Sequence, residues 1–171
     1  MEGTRAMKIH LVTLLFSFLF SLFSFSFAHW ADLSAAEIST TGNTTQIILT
    51  FPTGLLAEMD TDKNNQLSES EFHLHHAELT NFFLEAIHLS DSQAQKPTIS
   101  IASVDTAKVP ADLGIAPGTH STVKLTYTWE ETPQNITIDY NLFLPGVSTA
   151  SCLATILQGD ETQTFVFTPE N

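Results

Sequence analysis

Along residues 36–51, AEISTTGNTTQIILTF, polar and apolar positions alternate around Gly42-Asn43, with Ile47, Leu49 and Phe51 on one side of the second run. A period of two puts alternate side chains on opposite faces of a pleated strand, and Gly-Asn suits a tight turn, so this stretch predicts two strands. Residues 97–104, PTISIASV, alternate less strictly through Ile99, Ile101 and Val104. Residues 121–144 predict a hairpin. Val123, Leu125, Tyr127 and Trp129 share one face, Ile136, Ile138, Tyr140 and Leu142 share another, and Pro133 and Asn135 lie in the turn. Residues 150–169 predict a second hairpin that turns at Gly159-Asp160. About seven short strands with turn signals between them predict a mainly β protein, an antiparallel β-sandwich.

One segment breaks the period of two. From residue 68 to about residue 89, Phe72, Leu79, Phe82, Phe83, Ala86 and Ile87 fall at helical spacing, with Glu69, Glu78 and Glu85 on the other side. A single helix of about 20 residues is about 30 Å long, enough to cover one face or edge of a small sandwich. Residues 90–97, SDSQAQKP, form the loop that returns the chain to the sheet.

The first residues follow a different rule. Arg5 and Lys8 precede residues 11–27, which are apolar and serine-spaced without a charge, and Ser26 and Ala28 provide small residues at a cleavage site. This predicts a secretory signal peptide over residues 1–28, cut after Ala28; an uncleaved anchor is the alternative, and the apolar run is near the short end for a span. Residues 29–171 then form one exported domain, long enough for a core of its own. That stretch keeps 18 acids against four lysines and no arginine, a net charge of −14 with histidine neutral. Such a surface repels phosphate backbones, which excludes nucleic acid as a partner, and it attracts cations. Cys152 is the single cysteine, so no internal disulfide forms despite export, and its apolar surroundings mark it as a small core residue.

The sharpest motif is DTDKNNQLSESEF, residues 60–72. An EF-hand loop needs oxygen ligands at positions 1, 3, 5, 7, 9 and 12, the seventh through its backbone carbonyl and the twelfth as a bidentate glutamate. Counted from Asp60, these are Asp60, Asp62, Asn64, Gln66, Ser68 and Glu71. Leu67 supplies an apolar pin at position 8, and Phe72 opens the helix that follows. The expected ion is Ca²⁺. Position 6 departs from the pattern: it is Asn65 where glycine is usual, and asparagine tolerates the required positive φ best among the others. The same residues also fit a plain capping box, with Ser68 as N-cap and Glu71 three residues on. Only residues 53–59 are available as an entering helix and no second loop follows, so the expected role is structural, not that of a sensor. Extracellular sites of this type bind at about 10⁻⁴ to 10⁻³ M.

An exported AHW start, a β-hairpin, the DTDKNNQLSESE loop, a long helix, and strands ending in DYNLFLPG and DETQTFVFTPEN resemble the extracytoplasmic N-terminal domain of HupE/UreJ-like bacterial membrane proteins. That family is nickel-permease-like and carries hydrogenase and urease accessory roles. The resemblance spans nearly all of residues 29–171 and implies a domain that meets a membrane-protein partner. The family continues into several membrane-spanning helices; this sequence has no second apolar run of that length, so transport is not implied for it, and a free-standing or shortened ectodomain is expected. The family's metal association directs notice to His73 and His76, which share a helical face with Glu69, and to His29, which cleavage would free as a terminal ligand. A partly buried helix face and an ordinary terminus account for the same residues. The leading expectation is an exported, non-enzymatic, calcium-binding β domain. The alternatives are a secreted accessory enzyme, for which no paired acid/base motif stands out, and a free-standing nickel-, copper- or zinc-binding protein.

Overall fold

The structure, a computed structural model, describes residues 32–104, 119–159 and 161–170. The expected signal peptide at residues 1–28, His29 and the turn residue Asp160 lie outside them. In chain order the elements are β1 (Leu33–Thr41), β2 (Thr44–Pro52), a 3₁₀ turn (Thr53–Leu56), α1 (Glu69–Leu74), α2 (His76–Ala86), β3 (Ile87–Ser90), β4 (Thr98–Ser103), β5 (His120–Thr128), β6 (Thr137–Tyr140), β7 (Ser151–Gln158) and β8 (Glu161–Phe167).

The protein is mainly β, as its alternating pattern dictates. Among the described residues six strands form one open sheet in the order β4-β5-β2-β1-β7-β8, with β4 and β8 as its edges; it is not a closed barrel. The two hairpins expected at β1–β2 and β7–β8 form, and Gly42 (φ 57°) and Gly159 (φ 61°) supply the left-handed turn residues. The sheet is mixed, not antiparallel throughout: β1 runs parallel to β7, with Ala36 opposite Ala154 and Ile38 opposite Ile156. A period of two reports which face a residue occupies and nothing about strand direction, so this pairing left no mark in the pattern.

One face of the sheet carries the core. Ala36, Leu49 and Val123 lie side by side across it, as do Ile38, Ile47, Leu125 and Ile101. Over this face lies a second layer that is not a full sheet. It is a two-stranded ribbon, β3 paired with β6, together with the two helices. Phe83 meets Phe51 edge-to-face with ring centroids 5.5 Å apart, and Tyr127 donates its hydroxyl to the Ile87 carbonyl at 3.1 Å.

Two expectations are corrected here. The single long helix is two short ones: His75, at φ −103° and ψ 20°, leaves helical geometry between α1 and α2. The helix also ends at Ala86 instead of near residue 89. Ile87 and Leu89 are buried while His88 is exposed, which is strand alternation; Ile87 also fits four residues after Phe83, so the two periods overlap there. The hairpin expected over residues 121–144 does not form. β5 is already flanked by β2 and β4, so neither edge is open to β6, which pairs with β3 in the other layer. The chain leaves the large sheet at buried Trp129, whose backbone N–H donates to the Asn43 carbonyl and whose indole N–H donates to Thr45 Oγ1. Among the described residues no helix is long and apolar enough to cross a membrane.

Candidate metal centre

The loop of residues 60–71 follows the 3₁₀ turn and runs into α1, and one side chain of the sheet ties that turn to the loop's eighth residue. Ser121 on β5 is buried; its hydroxyl lies 2.8 Å from Thr53 Oγ1 and accepts the Leu67 backbone N–H at 2.8 Å. Leu67 packs against the core, as its apolar character between polar neighbours suggested, and Phe72 is fully part of that core. Lead-in is one 3₁₀ turn, which matches the short entering segment expected at residues 53–59.

Within the loop the side chains fold the backbone around themselves. Buried Asp60 accepts the Asn64 N–H on Oδ1 at 3.1 Å and the Asn65 N–H on Oδ2 at 2.8 Å. Asp62 accepts the Asn64 N–H and the Asn64 side-chain amide, and Asn64 Oδ1 accepts the Gln66 N–H at 2.8 Å. These bonds bend the chain through two left-handed residues, Lys63 (φ 56°) and Asn65 (φ 63°). Asn65 thus holds the conformation expected of position 6, where a short polar side chain costs least after glycine.

Glu71 closes the loop. Its Oε1 accepts the Thr61 N–H at 2.6 Å, the Thr61 hydroxyl at 2.8 Å and the Asp62 N–H at 3.2 Å. Its Oε2 accepts the Ser68 N–H and hydroxyl. Burial raises the carboxyl's pKa, but the donors from Ser68, Thr61 and Asp62 outweigh it and hold the group down at about 2. Ser68 is the N-cap of α1 and completes the capping box with Glu71.

The capping box therefore exists, and so does a convergence that a capping box does not require. Carboxylate oxygens of Asp60, Asp62 and Glu71 lie within 4.8 Å of one another, a cluster able to hold a metal ion. Asp60 and Glu71 are buried and Asp62 is exposed. Of the other expected ligands, Asn64 is exposed with its side chain bonded to loop neighbours, and Gln66 and Ser68 are half-buried.

The histidines do not form a second cluster among the described residues. His73 lies 3.8 Å from Glu69, His76 packs its ring edge-on to Phe72 at 5.8 Å, and His75 Nδ1 meets Glu78 at 2.6 Å. The break at His75 explains this: spacing of three shares a face only along an unbroken helix. Thr61 and Ser121 were not foreseen. Thr61 occupies a position without a ligand role, and Ser121 lies 54 residues from Leu67, beyond any local signal. No protein-family model matches the chain, and no curated protein matches it.

Proposed function

We propose that this is an exported, non-enzymatic domain in which residues 60–71 bind one structural Ca²⁺. The observation that carries the reading is the approach of Asp60, Asp62 and Glu71 oxygens to within 4.8 Å in a loop whose spacing matches an EF-hand. Asp60, Asp62 and Asn64 would contribute side-chain oxygens, Gln66 its carbonyl, Ser68 its hydroxyl directly or through water, and Glu71 its carboxylate. The donor set is all oxygen, the chemistry that hard cations select. Bound Ca²⁺ supplies positive charge where three carboxylates meet. The donors on Glu71 keep it ionised and in place beforehand, and capture exchanges some of those hydrogen bonds for coordination. A single 3₁₀ turn before the loop leaves no helix pair to open, which favours a structural over a sensing role. Export follows from the reading of residues 1–28, and the HupE/UreJ-like resemblance supports a membrane-protein partner.

Calorimetry of the secreted protein at millimolar Ca²⁺ tests the site. Wild type should give one binding event and Glu71→Gln none; unchanged heat between the two sinks the proposal. Free Ca²⁺ at about ten times its dissociation constant stabilises by about 1.4 kcal/mol. Each kcal/mol shifts the melting point of a domain this size by about 2–8 °C. Chelator should therefore lower the melting temperature by several degrees, and hydrogen exchange should rise in α1 before it rises in β5.

A further inference from the structure

The second layer stops short of the large sheet's edge. The Tyr127 hydroxyl reaches the Ile87 carbonyl from β5, and Tyr140 stacks on Phe167 of β8 with centroids 5.2 Å apart, so the β3–β6 ribbon lies between those two strands with β6 on the β7–β8 side. Beside β6 opens a groove of about 480 Å³. Ile38, Ile156 and Phe165 floor it from β1, β7 and β8, and Pro133, Ile136 and Ile138 wall it. Phe165 sits on the core-facing side of the sheet, opposite Ala154, and yet is 47% exposed because nothing among the described residues lies above it.

Among the described residues the edge of β6 away from β3 has no strand partner. The Asn141 N–H donates to the Ala86 carbonyl at 2.8 Å, which makes residues 86 and 141 a hydrogen-bonded pair. Antiparallel alternation then turns the backbone groups of Thr137 and Asp139 toward β3 and those of Ile138 and Tyr140 away from it. β3 is the only strand neighbour of β6 among the described residues. Adjacent strands lie about 4.8 Å apart and facing layers about 10 Å, so one more strand beside β6 would lie over the groove floor formed by Ile156 of β7 and Phe165 of β8. Its alternate side chains would come down on Phe165 and Ile156.

Charge selects the occupant. Glu130, Glu131 and Glu161 are exposed and adjoin the groove, the first two immediately before Thr132 and the third opposite Gln158. With a net charge of −14 over residues 29–171, a second copy of the chain is repelled, whereas a cationic segment is drawn in. We propose that this edge of β6 accepts an extended segment of a partner protein, with alternating apolar residues and flanking lysines or arginines, added as a third strand over the groove floor.

The test titrates the ¹⁵N-labelled secreted protein with acetyl-Lys-Val-Thr-Val-Thr-Val-Lys-amide and with its counterpart carrying Glu in place of Lys. The basic peptide should shift the amides of residues 136–140 and 161–167 and slow the exchange of the Ile138 and Tyr140 N–H groups. Binding should weaken at least tenfold for the acidic peptide and for Phe165→Thr, a substitution at an exposed side chain that leaves the melting temperature in place. Glu71→Gln should bind the peptide as wild type does, which separates this site from the calcium loop. No shift at millimolar peptide, shifts confined to other strands, or equal binding of both peptides would overturn the proposal. Dimerisation through this edge in sedimentation would overturn it in favour of a second copy.

Discussion

The backbone N–H of Leu67 donates to the Ser121 hydroxyl at 2.8 Å, across 54 residues of sequence. The same hydroxyl meets Thr53 Oγ1 at 2.8 Å, so one buried serine on β5 ties the 3₁₀ turn before the carboxylate loop to Leu67 within it. The loop is thereby fixed to the most buried part of the sheet, next to Val123 and Leu125, and whatever orders the loop also orders the start of α1.

Ser121→Ala should destabilise the protein by about 1–3 kcal/mol, since it orphans a backbone donor and the buried Thr53 hydroxyl together. Urea unfolding measures this. Under the calcium reading the same variant also binds Ca²⁺ more weakly by calorimetry, although it removes no ligand. A stability within about 0.5 kcal/mol of wild type, the range of ordinary surface substitutions, would show that the clasp contributes nothing.

Asn65 is held at φ 63° with its N–H on Asp60. Asn65→Ala should cost about 1 kcal/mol, because a β-carbon crowds the following carbonyl in the left-handed region. Asn65→Gly should be neutral within about 0.5 kcal/mol, its ease at positive φ offset by greater freedom in the unfolded chain. Equal melting temperatures for the two variants would remove the strain argument.

Three acid-sensitive groups give the stability curve two limbs in chelator, His120 the upper one and Glu71 with Asp91 the lower. Burial raises the pKa of the Asp91 carboxyl, but hydrogen bonds from Gln95, Gln93 and Gln134 lower it more. His120 is buried, and burial lowers its pKa from 6.5 more than its bond to the Leu33 carbonyl raises it. The unfolded chain then binds the proton more readily, so this contribution is complete above pH 6.5 and is lost as pH falls below it. Glu71 sits at about 2 when folded against 4.5 unfolded, so its contribution is complete above pH 4.5 and disappears progressively toward pH 2. His120→Gln should flatten the upper limb and Glu71→Gln should shrink the lower one, leaving the part due to Asp91, each read by denaturant midpoint against pH.

Cys152 is fully buried, and burial pushes its thiol up to about 11. A thiol reagent at pH 8 should leave the native protein unlabelled for hours and react completely once denaturant unfolds it, since the thiolate is the nucleophile. Rapid labelling of the folded protein would show that the β1–β7–β8 side opens readily.

The sequence by itself determined most of what is local. Alternation at Ile47, Leu49 and Phe51 and at Val123, Leu125 and Tyr127 marked strands and their buried faces, because a period of two is a property of the single chain. The spacing of Asp60, Asp62 and Glu71 foretold a carboxylate cluster, because those side chains meet within twelve residues. Even the left-handed turn at Asn65 was legible, since few residues tolerate it. Tertiary structure decided the rest, because it depends on which edges remain open. β6 could not join β5 once β2 and β4 flanked it, and it paired with β3 instead. β7 joined β1 in parallel, a direction that alternation does not encode. The helix gave way at Ile87, where the same side chain satisfies helical spacing from Phe83 and strand spacing to Leu89, and pairing with Tyr140 settled the choice.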